Sequence, residues 1–241
     1  VVACYNQTQT VWVNDGEGAF TAHPTAPTFG GANASRGITL GDIDGDGDLD
    51  AVIANQNGAA ETVWLNDGTG AFTAHATTSS FGAGDSQALA LGDIDSDGDL
   101  DALVANTNAQ DETVWLNDGV GNFLPHPSVS AFNGGQDSTH IGLSDLDGDG
   151  DLDAWVTNYD SVPRANTVWF NDGAGVFSDS GQALGDSNSR HAGMGDLDGD
   201  GDLDVLSIPI RSPGSVYISW WENIDGSGML WLENDLSQFF Q

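Results

Sequence analysis

The chain has 241 residues, with 37 acidic side chains against 4 basic ones and a formal net charge of −33. That balance excludes coating of nucleic acid or of an anionic membrane through long-range charge, and a single cysteine, Cys4, excludes a disulfide framework or a CxxC metal or redox site. Such acidity often accompanies disorder, but 39% hydrophobic residues, 8 tryptophans and 33 glycines fit short strands and tight turns instead.

The chain opens on VVACYNQ, which has no basic n-region and no long apolar stretch, so no signal peptide is expected there. Val1-Val2-Ala3 matches Val52-Ile53-Ala54 further on, which places Cys4 at a strand end, level with Asn55 and Asn106. A hairpin sequence follows, VWVNDGEGAF at 11–20, and it returns as VWLNDGTGAF at 63–72, VWLNDGVGNF at 114–123 and VWFNDGAGVF at 168–177. A degenerate copy, WENIDGSGML, starts at Trp221. Out of phase with these run four acidic segments: GDIDGDGDLD at 41–50, GDIDSDGDLD at 92–101, SDLDGDGDLD at 144–153 and GDLDGDGDLD at 195–204. Both motifs recur about every 51 residues, so the chain reads as five copies of one unit without linkers, at 1–34, 35–85, 86–136, 137–187 and 188–241.

Each unit predicts four short strands. In 85–125 they are ALALGDI, leading into the acidic loop; DALVAN, apolar and β-branched; ETVWLN, ended by the tight-turn signal Asn117-Asp118-Gly119; and GNFLPH. No stretch sustains a 3.6-residue period, and no apolar run approaches the roughly 18 residues of a membrane span. The expected fold is all-β, a propeller of about five four-stranded blades. The chain begins on a second strand, so its first blade lacks the innermost strand and acidic loop. Its tail is expected to meet the N-terminal strands in one sheet, or else the natural chain is longer.

Repetition also sorts the side chains. His23, His75 and His126 share one position after the hairpin phenylalanines, and the five hairpin tryptophans share another; packing is the expected role of both sets. Trp155 and Trp220 break the pattern. The acidic loops hold five carboxylates within nine residues, which repel one another without a cation. Calcium, taking six to eight oxygens in a flexible shell, suits them better than magnesium, and the loops lack the His and Cys that zinc or copper would select. A 12-residue EF-hand between helices does not fit loops that close in nine between strands.

The DxDxDGxxD loops, the Phe29-Gly30 and Phe81-Gly82 pairs and the VWxNDGxGxF hairpins resemble the FG-GAP or VCBS repeats, which build calcium-bearing propellers such as the head of integrin α subunits. The resemblance implies about four structural calcium ions. In the first loop Asp42, Asp44, Asp46 and Asp50 would supply carboxylates and Asp48 its backbone carbonyl. The equivalent sets are Asp93, Asp95, Asp97, Asp99 and Asp101; Asp145, Asp147, Asp149, Asp151 and Asp153; and Asp196, Asp198, Asp200, Asp202 and Asp204. Family topology puts the loops before each innermost strand on the face opposite the calcium sites, together with those between second and third strands. Arg36 and Arg190 both fall six residues before the first aspartate of a loop, where the other units have Gln87 and Thr139; His140 and His191 come next along. Tyr159, Arg164 and Arg211 fall in second-to-third-strand loops, so all four arginines map to one face.

The expected function is a secreted or cell-surface recognition module, lectin-like or adhesive. Its expected partner is a glycan or cell-surface protein, with acidic glycans ahead of neutral ones because arginine pairs with carboxylate or sulfate. No nucleic-acid partner and no membrane insertion are expected, and a partner chain or neighbouring domain is compatible with the repeats. The alternatives are a polysaccharide lyase using His140 or His191 as base, or a structural subunit of a surface assembly. No nucleophile–base set marks an enzyme.

Overall fold

The computed structural model describes residues 1–235 except 27, 32, 77–79, 129–130, 133–134, 187, 212–214 and 217. All regular structure among them is strand, and no helix is long and apolar enough to cross a membrane. Four antiparallel sheets share one plan. In the second unit the order is Ser35–Gly41, Asp50–Asn55, Glu61–Asn66 and Phe72–Ala74. The third runs Ser86–Gly92, Asp101–Asn106, Glu112–Asn117 and Phe123–Pro125, and the fourth Ser138–Ser144, Asp153–Asn158, Asn166–Asn171 and Phe177–Leu184. The fifth pairs Asn188–Gly195, Asp204–Arg211, Ser219–Asn223 and Trp231–Asp235. The first unit is partial: Val2 bridges Thr10, and Trp12–Asn14 pairs with Phe20–Ala22.

The Phe-Gly pairs lie on an element that the strand pattern did not resolve. Thr28–Phe29, Ser80–Phe81 and Ala131–Phe132 are short extra strands paired to the start of the third strand of their own unit. Each delivers its phenylalanine onto the hairpin aromatics. Phe81 stacks on Phe123 at 4.6 Å and tilts against Trp115 at 5.3 Å, and Phe29 and Phe132 repeat this with Phe72/Trp64 and Phe177/Trp169. The tryptophan N–H is satisfied locally, donating to the threonine two residues earlier, as from Trp115 to Thr113 Oγ1.

The core is a series of layers between successive sheets. One joins Ile43, Val52, Ala54 and Val63 to Leu89, Ala102, Val104 and Phe123; the next repeats it with Ile94, Leu103, Ala105 and Val114 against Ile141, Ala154, Val156 and Phe177. Each fully buried aliphatic or phenyl side chain contributes about 1.5–3 kcal/mol, so the junctions carry the stability. The first strands of successive sheets run against one another: Thr39 Oγ1 donates to Leu89 O at 2.8 Å, and Thr139 Oγ1 to Ser189 O at 2.7 Å. A Cβ at Gly37 would lie 3.1 Å from Gln87 O, so a glycine suits this close approach.

Among the described residues no strand of 1–34 pairs with one of 188–235, and the tail at 236–241, which was expected to close a ring, lies outside them. The two end sheets expose opposite halves of the recurring junction. Phe20 is 61% exposed where its equivalent Phe123 is 2%, and Leu197 is 45% exposed where Ile43 is 1%.

Candidate functional site

The first strands, seven or eight residues long, separate two chemically different ends, about 20 Å apart at roughly 3.3 Å per residue. At their C-terminal end lie the acidic loops. Carboxylate oxygens of Asp42, Asp44 and Asp50 lie within 4.8 Å of one another, as do those of Asp93, Asp95 and Asp101 and of Asp145, Asp147 and Asp153. In the fourth loop the cluster is Asp196, Asp198 and Asp200, all exposed.

Each loop is built by its own side chains. Asp42 Oδ2 accepts from Gly47 N, Asp44 Oδ1 from Asp46 N, and Asp46 Oδ1 from Asp48 N. Buried Asp50 accepts from Ile43 N and Asn66 N, tying loop to hairpin. Asp48, Asp99, Asp151 and Asp202 turn their carboxylates away, against the glycines of the NDG or IDG turns at Gly68, Gly119, Gly173 and Gly226. The carboxylates of these four therefore stand outside the clusters of three. Asp46 and its equivalents Asp97 and Asp149 stand outside the clusters of three.

The clusters fit a hard cation. Asp42 Oδ1 and Asp93 Oδ1 are buried without a hydrogen-bond partner. Burial, followed by repulsion from neighbouring aspartates, raises the carboxyl pKa of Asp101 and Asp153 to about 6; desolvation likewise raises Asp50, Asp95 and Asp147. Oxygen-only donors, crowded and lacking a counter-charge, are what a cation of calcium type relieves.

At the other end a cavity of about 680 Å³ is lined by Arg36, Gln87, His140, Tyr159, Arg190 and His191, six of the eight candidate ligand residues. Arg36 Nε donates to Gln56 Oε1 at 2.6 Å, and its guanidinium carbon lies 4.7 Å from the Tyr5 ring centre; that of Arg190 lies 4.6 Å from the ring of Tyr159. The His140 ring centre is 4.9 Å from that of exposed His191. Burial, and secondarily His191, push the His140 pKa down to about 4, and its buried Nδ1 has no hydrogen-bond partner. Arg164 does not line the cavity; its exposed side chain pairs with Asp160 at 3.5 Å. Arg211 ends the strand Asp204–Arg211, and its side chain lies outside the described part.

Gln56, Thr107, Asn108 and Asp137 also line the cavity without having been singled out from the sequence. A signal existed for two of them: Gln56 and Thr107 occupy the register position of Tyr159, one residue past the second strand. The remaining distinctive residues are structural. His23 and His126 are buried, and their Nε2 atoms meet Thr69 O and Ala174 O of the next hairpin. Trp155 is fully buried against Trp231 and Trp221. Cys4 is a half-buried free thiol.

Sheets of repeated plan, each with an aspartate loop between its first and second strands, define an aspartate-loop β-repeat protein. The FG-GAP-like repeat pattern matches residues 1–53, 42–104, 93–156 and 145–207, and the chain belongs to that family. No functionally curated protein matches the sequence. Among solved structures, the chain is similar to the Vibrio cholerae biofilm matrix protein Bap1, at 18% identity and a TM-score of 0.43 over 96% of this chain and 42% of that one. It is also similar to the Photorhabdus luminescens Tc holotoxin pore, at 17% identity and a TM-score of 0.44 over 94% of this chain and 11% of that one. The chain thus spans less than half the length of either.

Proposed function

We propose that the protein is a calcium-stabilised extracellular recognition module that binds glycan in the cavity at the end opposite its acidic loops. The observation that carries this reading is a segregation of residues. Those that recur between units build the aspartate loops and the junctions, whereas those that differ between units, Arg36, Gln87, Thr139, His140, Arg190 and His191, converge on one cavity. A rigid repeated scaffold presenting variable polar groups in a concavity is suited to binding. Calcium is the favoured ion because the donors are all oxygen and the loops flexible in ligand number. Dependence on it, together with the net charge of −33, favours a location outside the cytosol. A propeller whose sheets surround this cavity is the architecture the reading uses, and the exposed end faces are where it would close.

A lyase reading is weaker. His140, with a pKa of about 4, is a poor proton acceptor at neutral pH, and its neighbour His191 is exposed. A glycan array probed with calcium-loaded protein tests the proposal: retention of a glycan set, lost on Arg36→Ala/Arg190→Ala with the calcium-dependent melt preserved, supports it. A blank array, or product release from a bound polysaccharide, rejects it.

A further inference from the structure

The two cations of the cavity are held by the same device used twice. Arg36 and Arg190 occupy one register position, six residues before the first aspartate of the loop that follows. Tyr5 and Tyr159 occupy another, one residue beyond a second strand, and each arginine stacks on the tyrosine of the preceding unit. At the junctions between them the arginine position holds Gln87 and Thr139. Following the units around the cavity therefore gives cation, amide, hydroxyl, cation.

We infer that the cavity is a two-armed clamp for a ligand carrying two anionic groups, carboxylate or sulfate, separated by a neutral polar segment, as in a short acidic oligosaccharide. This rests on the recognition reading above and adds the charge and spacing of the ligand. A guanidinium stacked on an aromatic ring is oriented; Arg36 commits its Nε to Gln56, and the terminal Nη1–Nη2 edge of each arginine is left for paired hydrogen bonds to an oxyanion. Among the described residues neither Arg36 nor Arg190 forms an ion pair; the pair that does form is the exposed one of Arg164 with Asp160. Asp137, which comes between the arms in unit order, lines the same cavity and accepts from Ala109 N at 3.0 Å. Its carboxylate repels a third anion there and accepts from a hydroxyl. With a net charge of −33 the chain repels anions at long range, so the contacts that retain a dianion must be these local ones.

Calorimetric titration of the calcium-loaded protein with a di-uronate disaccharide, its dimethyl ester, a mono-uronate and a disulfated disaccharide tests the clamp. The substitutions Arg36→Gln and Arg190→Thr install residues that the fold already carries at Gln87 and Thr139, so the fold should tolerate them. Each is expected to cost the dianion at least about tenfold in affinity, and the pair the product of the two losses, with an unchanged calcium-dependent melt. The ester should bind no better than the double variant, and the mono-uronate should respond to no more than one arm. Comparison of the uronate with the disulfate decides which oxyanion is preferred. Equal binding of acid and ester, or dianion affinity unmoved by either substitution, overturns the clamp. If neutral glycans are nevertheless retained on the array, the recognition reading survives; if nothing is retained, both fall.

Discussion

Gly119 shows how one atom decides a residue type. Its φ is +77°, and a Cβ there would lie 2.5 Å from Asp99 Oδ2. The NDG turn is therefore glycine both for its left-handed backbone and because the next-door metal loop folds a carboxylate over it. Gly119→Ala is expected to cost about 1–3 kcal/mol, read as a lower melting temperature with calcium saturating. Asp99→Ala should recover part of that loss when combined with it. Glu61 offers a second case. Ser86 Oγ has one proton and two acceptors in reach, Glu61 Oε1 at 2.7 Å and Asn106 Oδ1 at 2.9 Å. Burial raises the Glu61 pKa from 4.5 to about 7, so near neutrality and below the carboxyl proton resolves that conflict. The folded state then binds a proton more tightly than the unfolded chain. The stabilisation is fully present below about pH 4.5 and is lost as pH rises through 7. At the equivalent site Gln9 Nε2 donates to Ser35 Oγ, which donates onward to Asn55 Oδ1. Glu61→Gln should copy that arrangement: in calcium, its melting temperature should exceed the parent's at pH 8 and lose the advantage at pH 5. An advantage unaffected by pH would contradict the assignment of the proton.

At the level of the element, metal loops and hairpins belong to each other across junctions. Asn117 Nδ2 donates to Ile43 O, Asn171 to Ile94 O and Asn223 to Leu146 O, each at 2.8–2.9 Å and buried. The hairpin of one sheet thus braces the acidic loop of the sheet before it. Asn171→Ala should remove a buried hydrogen bond at a cost of about 1–3 kcal/mol and weaken calcium at the 93–101 loop more than at the others, as followed by calcium titration. The loop at 196–204 receives no such bond among the described residues, and Leu197 within it is exposed. It should be the weakest of the four sites. A chelator, by stripping the loops, should loosen the junctions as well as the loops, lowering the melting temperature and broadening the transition. An unchanged melt would remove the metal from the account of stability.

Among the described residues the first and last sheets expose two unlike apolar faces, Phe20 and Trp12 on the first and Leu197 and Ile208 on the last. Inside the chain the equivalents of one pack with the equivalents of the other, Ile43 with Phe123 and Trp115 and Ile94 with Phe177 and Trp169, so the faces are complementary and not self-complementary. Closure of the proposed propeller would set these two faces against each other, and only chains in which they stay open would associate head to tail with rising concentration, a geometry that closes into rings or extends into filaments. Phe20→Asp should abolish that association in sedimentation velocity while leaving the internal junctions intact.

Much of this architecture was legible in the residues alone, because repetition supplies its own alignment. Short-range physics was enough: NDG made the hairpins, alternation made the strands, and crowded aspartates implied a cation, all within about a dozen residues of chain. The strands carrying Phe81 and its equivalents escaped notice because a two-residue strand has no period to detect; its partner, the start of the third strand, is what makes it a strand. The orientation of Asp48 and the raised pKa of Glu61 likewise depend on atoms brought in from another strand or sheet. The sequence alone determined the unit, four of its copies and their aspartate loops. Repeat register put Arg36 and Arg190, more than 150 positions apart, on one face; only the tertiary structure decided that they line one cavity with Tyr5 and Tyr159 stacked beneath them. Convergence of that kind follows from the angle at which sheets pack, which is set by side-chain volumes summed over every junction and has no signature in any single repeat.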